Sequence, residues 1–147
     1  MRKFTSIGFL CLLFTLFSCE IAPEPINFGT DSCSFCKMTI VDQQHAAQYV
    51  TKKGKQFKFD AVECMLNDLS EKGMDNLEIL LVSDYLKPRE MTDATRATYL
   101  ISEAIKSPMG ANLSSFGTKA AAEETAKVYK GDMYSWEEML SKYEVAQ

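Results

Sequence analysis

The sequence is short of several things that would settle its class quickly. Basic residues do not exceed acidic ones: 16 Lys and Arg stand against 20 Asp and Glu, for a net charge of −4. No basic surface therefore recommends a nucleic acid as partner. Histidine occurs once, as His45, which leaves little scope for a serine–histidine triad, and no G-x-S-x-G or P-loop motif is present. The longest apolar run, from Ile7 to Phe17, is shorter than the roughly 20 residues that a membrane-spanning helix needs. What remains is ordinary: 46% hydrophobic and 24% charged residues, the balance of a globular chain and not of a disordered or fibrous one. Against that background the five cysteines, Cys11, Cys19, Cys33, Cys36 and Cys64, are the informative residues.

They do not all belong to one stage of the protein's life. Met1-Arg2-Lys3 followed by the apolar run has the proportions of an export signal. Leu16-Phe17-Ser18-Cys19 resembles a bacterial lipobox, with a small residue before the cysteine. The resemblance implies cleavage after residue 18 and lipidation of Cys19. An ordinary secretory signal cut nearby is the alternative. Either reading places the chain outside the cytoplasm, in the cell envelope facing the periplasm or exterior, where disulfides are permitted. The lipid would hold it on a membrane. Cys11 leaves with the signal and Cys19 becomes the anchor. Cys33, Cys36 and Cys64 remain, an odd number that cannot all pair within one chain and points to a reactive thiol, an intermolecular bond or a metal.

Residues 19–32, with Pro23, Pro25 and Gly29, read as the lipidated cysteine and a flexible tether. Beyond them the chain expects an α+β fold of two small, similar strand-strand-helix-strand units sharing a compact core, over 33–90 and 91–147. Thr39–Val41, Ala46–Val50 and Gln56–Phe59 are strand candidates, the last two joined through the polar turn Lys52-Lys53-Gly54-Lys55. Asp60-Ala61-Val62-Glu63 has the form of a helix start with Asp60 as cap. Val62, Met65, Leu66 and Leu69 recur at helical spacing, Gly73 ends that helix, and Leu77–Val82 reads as a buried strand. In the second half Ala97–Ser102 and Leu113–Phe116 are strands around a Ser107–Gly110 turn. Thr118 caps a helix stopped by Gly131, and Ser135-Trp136-Glu137-Glu138 opens another.

Cys33-Ser34-Phe35-Cys36-Lys37-Met38 carries the chemistry. The C-x-x-C spacing lets two sulfurs converge on one ion or close a small disulfide. A methionine two residues on adds a thioether, and thiolate with thioether is a soft set that selects Cu(I). Cys64 falls opposite the apolar stripe of its helix, in the first turn, where the helix dipole favours a thiolate. Met109, in the Pro108–Gly110 turn, is a further thioether candidate, with core packing as its alternative. A thiol–disulfide oxidoreductase using Cys33 and Cys36, and a zinc-stabilised interaction module, stay open beside copper on these residues alone.

The order of motifs resembles the NosL-type copper chaperone lipoproteins: a lipobox, then C-x-F-C-x-M-x-I, then a hairpin ending in Phe59-Asp60 with Cys64-Met65 four residues later. Asp93–Tyr99 followed by Pro108–Phe116 is similar to that family's second-half region, and Lys130-Gly131 stands where members often carry Gly-Gly. The resemblance implies a Cu(I)-binding metallochaperone, not an enzyme, that supplies nitrous-oxide reductase, with a copper exporter as a further partner. It transfers the ligand role best to Cys36 and Met38, with Cys33 alongside and Met109 from the second half. Lys37 stands where many members have Gly.

Overall fold

The computed structural model describes residues 20–146. The signal, Cys11 and the lipidation candidate Cys19 lie outside the described residues. Within them the elements run β1 (Ala47–Thr51), β2 (Gln56–Phe59), α1 (Val62–Lys72), β3 (Leu77–Asp84), β4 (Lys87–Asp93), β5 (Thr98–Ile101), β6 (Leu113–Phe116), α2 (Lys119–Tyr129), β7 (Asp132–Tyr134) and α3 (Trp136–Lys142). Two antiparallel sheets result, ordered β2-β1-β3-β4 and β6-β5-β7. The expected α+β class is what the chain adopts.

The β1–β2 hairpin turns through Gly54, whose φ of +77° suits glycine. Its register sets Tyr49 opposite Phe57, and those rings stack at 4.7 Å, a cross-strand pair of the kind that stabilises a sheet. α1 lays Val62, Met65, Leu66 and Leu69 into the core. These side chains pack with Ile40, Tyr49 and Phe59 from the first half and with Tyr99, Leu113, Trp136 and Met139 from the second. One apolar cluster therefore runs through both sheets. A smaller one, Leu100, Ile105, Phe116 and Ala122, lies between the second sheet and α2.

Several local expectations need correcting. Thr39–Val41 is not a strand; only Thr39 pairs, in an isolated bridge with Ser32, because this segment closes the loop that carries the cysteines. Asp60 does not cap α1. Ala61 is the cap residue, with no side-chain cap bond, since the Asp60 carboxylate is engaged elsewhere. β3 is longer than expected, and only its Val82–Asp84 end is buried. β4, mostly polar as Lys-Pro-Arg-Glu-Met-Thr-Asp, has no hydrophobic alternation to announce it. It is the edge strand, where Pro88 is tolerated. α2 ends at Tyr129, and it is the cap residue Lys130, not Gly131, that turns the chain, at φ +59°. Gly131 is required for another reason: a Cβ there would lie 2.2 Å from the Ile101 carbonyl oxygen.

The two sheets meet at a polar seam. The Ser115 hydroxyl donates to the Ser83 carbonyl at 2.7 Å, and the Tyr85 N–H donates to the Ser115 carbonyl at 2.8 Å. His45 lies in the same seam, 2% exposed. Its Nδ1 pairs with Asp42 Oδ2 at 2.9 Å and its Nε2 with Ser114 Oγ at 3.2 Å. Burial alone would raise the Asp42 pKa, but hydrogen bonds from His45 and the Gln44 N–H hold it below the usual carboxylate range. Nδ1–H therefore donates to a carboxylate, and the Ser114 hydroxyl pairs with Nε2.

Candidate metal centre

The Cys33–Met38 loop is a tight reversal. The Cys33 N–H donates to the Met38 carbonyl at 2.8 Å, and the Lys37 N–H donates to the Cys33 carbonyl at 3.1 Å. Lys37 takes φ +68°, the left-handed region, and its ammonium reaches back to the Ser34 carbonyl. The loop is strapped to β2 from both sides. The Ser34 N–H donates to the Lys58 carbonyl at 2.7 Å, and the Lys58 N–H to Ser34 Oγ at 3.1 Å. The Lys58 ammonium adds a bond to Asp31 Oδ2 at 2.7 Å, which pulls the Asp31 carboxyl below its ordinary pKa. These contacts carry the loop over the junction of β2 and α1, where Asp60 ends the hairpin and Cys64 sits in the first turn of the helix.

Four ligand atoms converge there. The sulfurs of Cys33, Cys36 and Cys64 and a carboxylate oxygen of Asp60 all lie within 4.8 Å of one another. The three thiols are free. Cys36 faces the Asp60 carboxylate, with Sγ at 3.5 and 3.6 Å from its two oxygens. Cys33 and Cys64 are 1% and 0% exposed, whereas Cys36 is half-buried.

The thiols are electrically unequal. Cys33 is lowered to about 6, chiefly because the Cys64 thiol donates a hydrogen bond to it. Burial opposes that shift, and the backbone N–H groups of Asp60, Cys36 and Phe35 assist it. Cys64 is raised for the complementary reasons: it donates to Cys33, it is buried, and it lies against Asp60. Cys36 is raised mainly by burial, although the Met38 N–H lowers it. Near neutral pH the centre thus holds one thiolate hydrogen-bonded by one thiol, with a second thiol at the rim.

The structure brings together Cys33, Cys36 and Cys64 of the residues expected from sequence. Met38 follows directly in the same loop, its side chain 55% exposed. Met109 is 44% exposed, on a turn whose Ser107 hydroxyl donates to Glu63 Oε1, one residue before Cys64. The expectation that Cys64 faces away from the core is corrected: it is wholly buried, because the first turns of α1 are covered on both faces, with Glu63 and Asp68 buried too. Asp68 is satisfied by the Tyr49 hydroxyl and the Lys72 ammonium, each at 2.6 Å. His45 lies in the seam and not in the four-residue cluster. Asp60 is the member that sequence reasoning missed. No helical spacing announces it, because Asp60 stands before the extended cap residue Ala61 and outside α1.

A set of three thiols and a carboxylate, with a thioether at hand, favours a soft or borderline metal ion. The comparisons agree in direction. The family model described as NosL matches residues 25–143. No curated protein sequence matches the chain. Among solved structures, the copper chaperone NosL from Shewanella denitrificans superposes with a TM-score of 0.71 at 22% identity, over 81% of this chain and 96% of that one. The two share a fold.

Proposed function

The chain belongs to the NosL family, and from that premise we propose that it is a Cu(I)-binding metallochaperone, not an enzyme, held at a membrane by a lipid on Cys19. Its client in this reading is an extracytoplasmic copper enzyme, nitrous-oxide reductase, with a copper exporter as supplier. One observation carries the copper reading: three free thiols from two separate segments meet within 4.8 Å, and their thioether neighbour Met38 stands at the surface. The protein named as a copper chaperone in Shewanella denitrificans shares the fold.

The geometry suits a carrier. Soft sulfur ligands hold Cu(I) tightly. A carrier must also release it, so its ligands need to be exchangeable one at a time. The half-buried Cys36 and exposed Met38 are open to a partner's donors, while Cys33 and Cys64 hold the ion from behind. The loop's hydrogen bonds to β2 keep the sulfurs in place through the exchange. The test is anaerobic titration of the reduced protein with Cu(I) against a competing chelator. Tight binding is expected in the natural chain and its loss in the Cys33→Ser/Cys36→Ser double variant. Equal affinity in the two would overturn the proposal.

Asp60 favours one other reading. Three cysteines and a carboxylate are also a complete tetrahedral zinc set. Zinc retained through purification, with unfolding on chelation, would select a zinc-stabilised interaction module instead. The oxidoreductase reading is weakened because the low-pKa thiol, Cys33, is 1% exposed. Attack on another protein's disulfide needs an accessible thiolate.

A further inference from the structure

The turn Lys52-Lys53-Gly54-Lys55 sets three ammonium groups on the tip of the β1–β2 hairpin, in a chain whose net charge is −4. All three lysines are exposed. Among the described residues none of the three forms an ion pair. The Lys52 ammonium donates instead to the Asp75 backbone carbonyl at 2.8 Å. Together the lysines rim a shallow hollow of about 370 Å³, lined by Thr51, Lys52, Lys53, Lys55, Phe57 and Asn76. The Lys55 ammonium lies 4.7 Å from the centre of the Phe57 ring. An aromatic wall under a positive rim suits a surface that is charged at its headgroups and apolar just below them.

The N-terminal segment is fastened to the same tip. The Gln56 side-chain amide, at the start of β2, donates to the Ala22 carbonyl at 3.0 Å and to the Gly54 carbonyl at 3.3 Å. Its Oε1 accepts from the Glu24 N–H at 3.2 Å. The buried Gln48 on β1 adds bonds to the Glu24 carbonyl at 2.9 Å and to Gln56 Oε1 at 2.8 Å. Ala22 therefore lies beside Gly54. Cys19 stands three positions before Ala22, and three residues of chain reach no farther than about 11 Å. Resting on the reading above that Cys19 carries a lipid, we infer that the hairpin tip docks on a membrane of anionic lipid, with its lysines against the headgroup phosphates, and so gives the anchored protein one orientation.

A lipid by itself fixes a point and not an angle. Each lysine held at an anionic surface favours the contact about fivefold, so three together favour the tip-down pose by roughly 100-fold. The same surface repels the chain's excess of acidic groups, which sharpens the choice. An acidic protein would meet the same three charges, but the lipid attached within reach of the tip makes the membrane the surface already beside it. The pose also places the metal centre. β2 runs from the tip toward the cysteines, and at about 3.4 Å per residue Asp60 stands roughly 13 Å beyond Gln56. The cysteine loop is strapped to Lys58 near that far end. Seating the tip on the bilayer therefore turns the sulfurs away from it, toward partners in the aqueous space.

Hydrogen–deuterium exchange tests the docking. Protein extracted from membranes is reconstituted into vesicles of phosphatidylcholine, alone or with about 30% phosphatidylglycerol. Exchange over residues 52–57 is expected to be about 10-fold slower in the anionic vesicles, with the 33–38 loop unchanged. Salt at about 0.5 M should restore it by screening exposed charges. Lys52→Gln/Lys53→Gln/Lys55→Gln should lose the protection, and Lys119→Gln/Lys127→Gln/Lys130→Gln, around α2, should keep it. Equal exchange in the two vesicle types, or equal loss in the two variants, overturns the docking. A lipid found on Cys19 by mass spectrometry then leaves the anchor standing, whereas its absence overturns anchor and docking together. Protection of the tip that appears only when an acidic protein is added overturns the membrane assignment in favour of a protein partner.

Discussion

Two buried polar constellations occupy this small core, and both look like chemistry. In the seam, Asp42, His45 and Ser114 form a chain from carboxylate to imidazole to hydroxyl at 2.9 and 3.2 Å. At the metal centre, three thiols and Asp60 gather within 4.8 Å. The difference lies in what each has left to bond. His45 uses both ring nitrogens, Asp42 is further tied by the Gln44 and His45 N–H groups, and Ser114 is wholly buried on β6. Every strong donor and acceptor of the ring is occupied and no substrate can reach the hydroxyl, so the constellation fastens one sheet to the other. The thiols are weak hydrogen-bond partners, and their sulfurs keep lone pairs free for a metal ion. That arrangement is a poor fastener and a good receptor for a soft cation. A resemblance to catalytic or ligating geometry is therefore judged by unused bonding capacity, not by residue types alone.

Substitutions can break this contrast. The largest effect belongs to Cys33→Ser/Cys36→Ser, which should weaken the tightest Cu(I) binding by more than about 100-fold, roughly 2.7 kcal/mol, in competition titrations. His45→Ala should do the reverse. It leaves Asp42 and Ser114 without their buried partner and costs about 2–3 kcal/mol of unfolding free energy in urea, with copper affinity nearly unchanged. If His45→Ala abolishes copper binding in folded protein, the seam belongs to the site after all. Asp60→Asn sharpens the comparison from the other side. Removing the charge that faces Cys36 should lower metal affinity about 10-fold or more, in the range of outer-shell partners.

The pH dependence of the metal-free protein gives a smaller but more specific signal. Ultraviolet thiolate absorbance should show one group ionising as pH rises through about 6, assigned to Cys33, with Cys36 and Cys64 still protonated well into the alkaline range. Because the folded Cys33 pKa lies below the unfolded one, its contribution to stability is absent below pH of about 6 and grows as pH rises toward the unfolded value near 8.5. Above that value the raised Cys36 and Cys64 act in the opposite sense. Stability of the metal-free form should therefore climb from pH 6, reach a maximum near the unfolded thiol value, and fall beyond it. A monotonic profile would contradict the assignment. Smallest of all, Ser135→Ala removes one half of a capping box and should cost about 1 kcal/mol of stability, leaving every copper measurement untouched.

Sequence reasoning recovered features whose causes are local. The Ser135–Glu138 box, the Thr118 cap, the Gly54 hairpin and the C-x-x-C-x-M loop are all specified by residues a few positions apart, and each appears in the fold. Asp60 was misread for the same reason. Asp-x-x-Glu is a local capping signature, but the carboxylate's partner, Cys36, is 24 residues away, and no short-range pattern reports that contact. Cys64 was placed on the correct helix but given the wrong surroundings. A helical wheel assumes one buried face, and only the tertiary packing of the cysteine loop over α1 supplies the second. β4 stayed hidden because an exposed edge strand has no buried face to impose alternation on its sequence.

The conformation of Lys37 has a consequence for how this loop can vary. A lysine at φ +68° occupies backbone space that glycine enters freely and other residues enter at a cost of roughly 1–2 kcal/mol. Position 37 is thus a place where Gly and Lys can replace one another without displacing the sulfur on either side, because the turn dictates the backbone and the side chain is incidental to it. Lys37→Gly relieves the steric strain and loses only the ammonium's reach to the Ser34 carbonyl. A proline or a β-branched residue there would open the turn and separate Cys36 from Met38. What this position must supply is a backbone torsion, and the charge and size of its side chain are secondary to it.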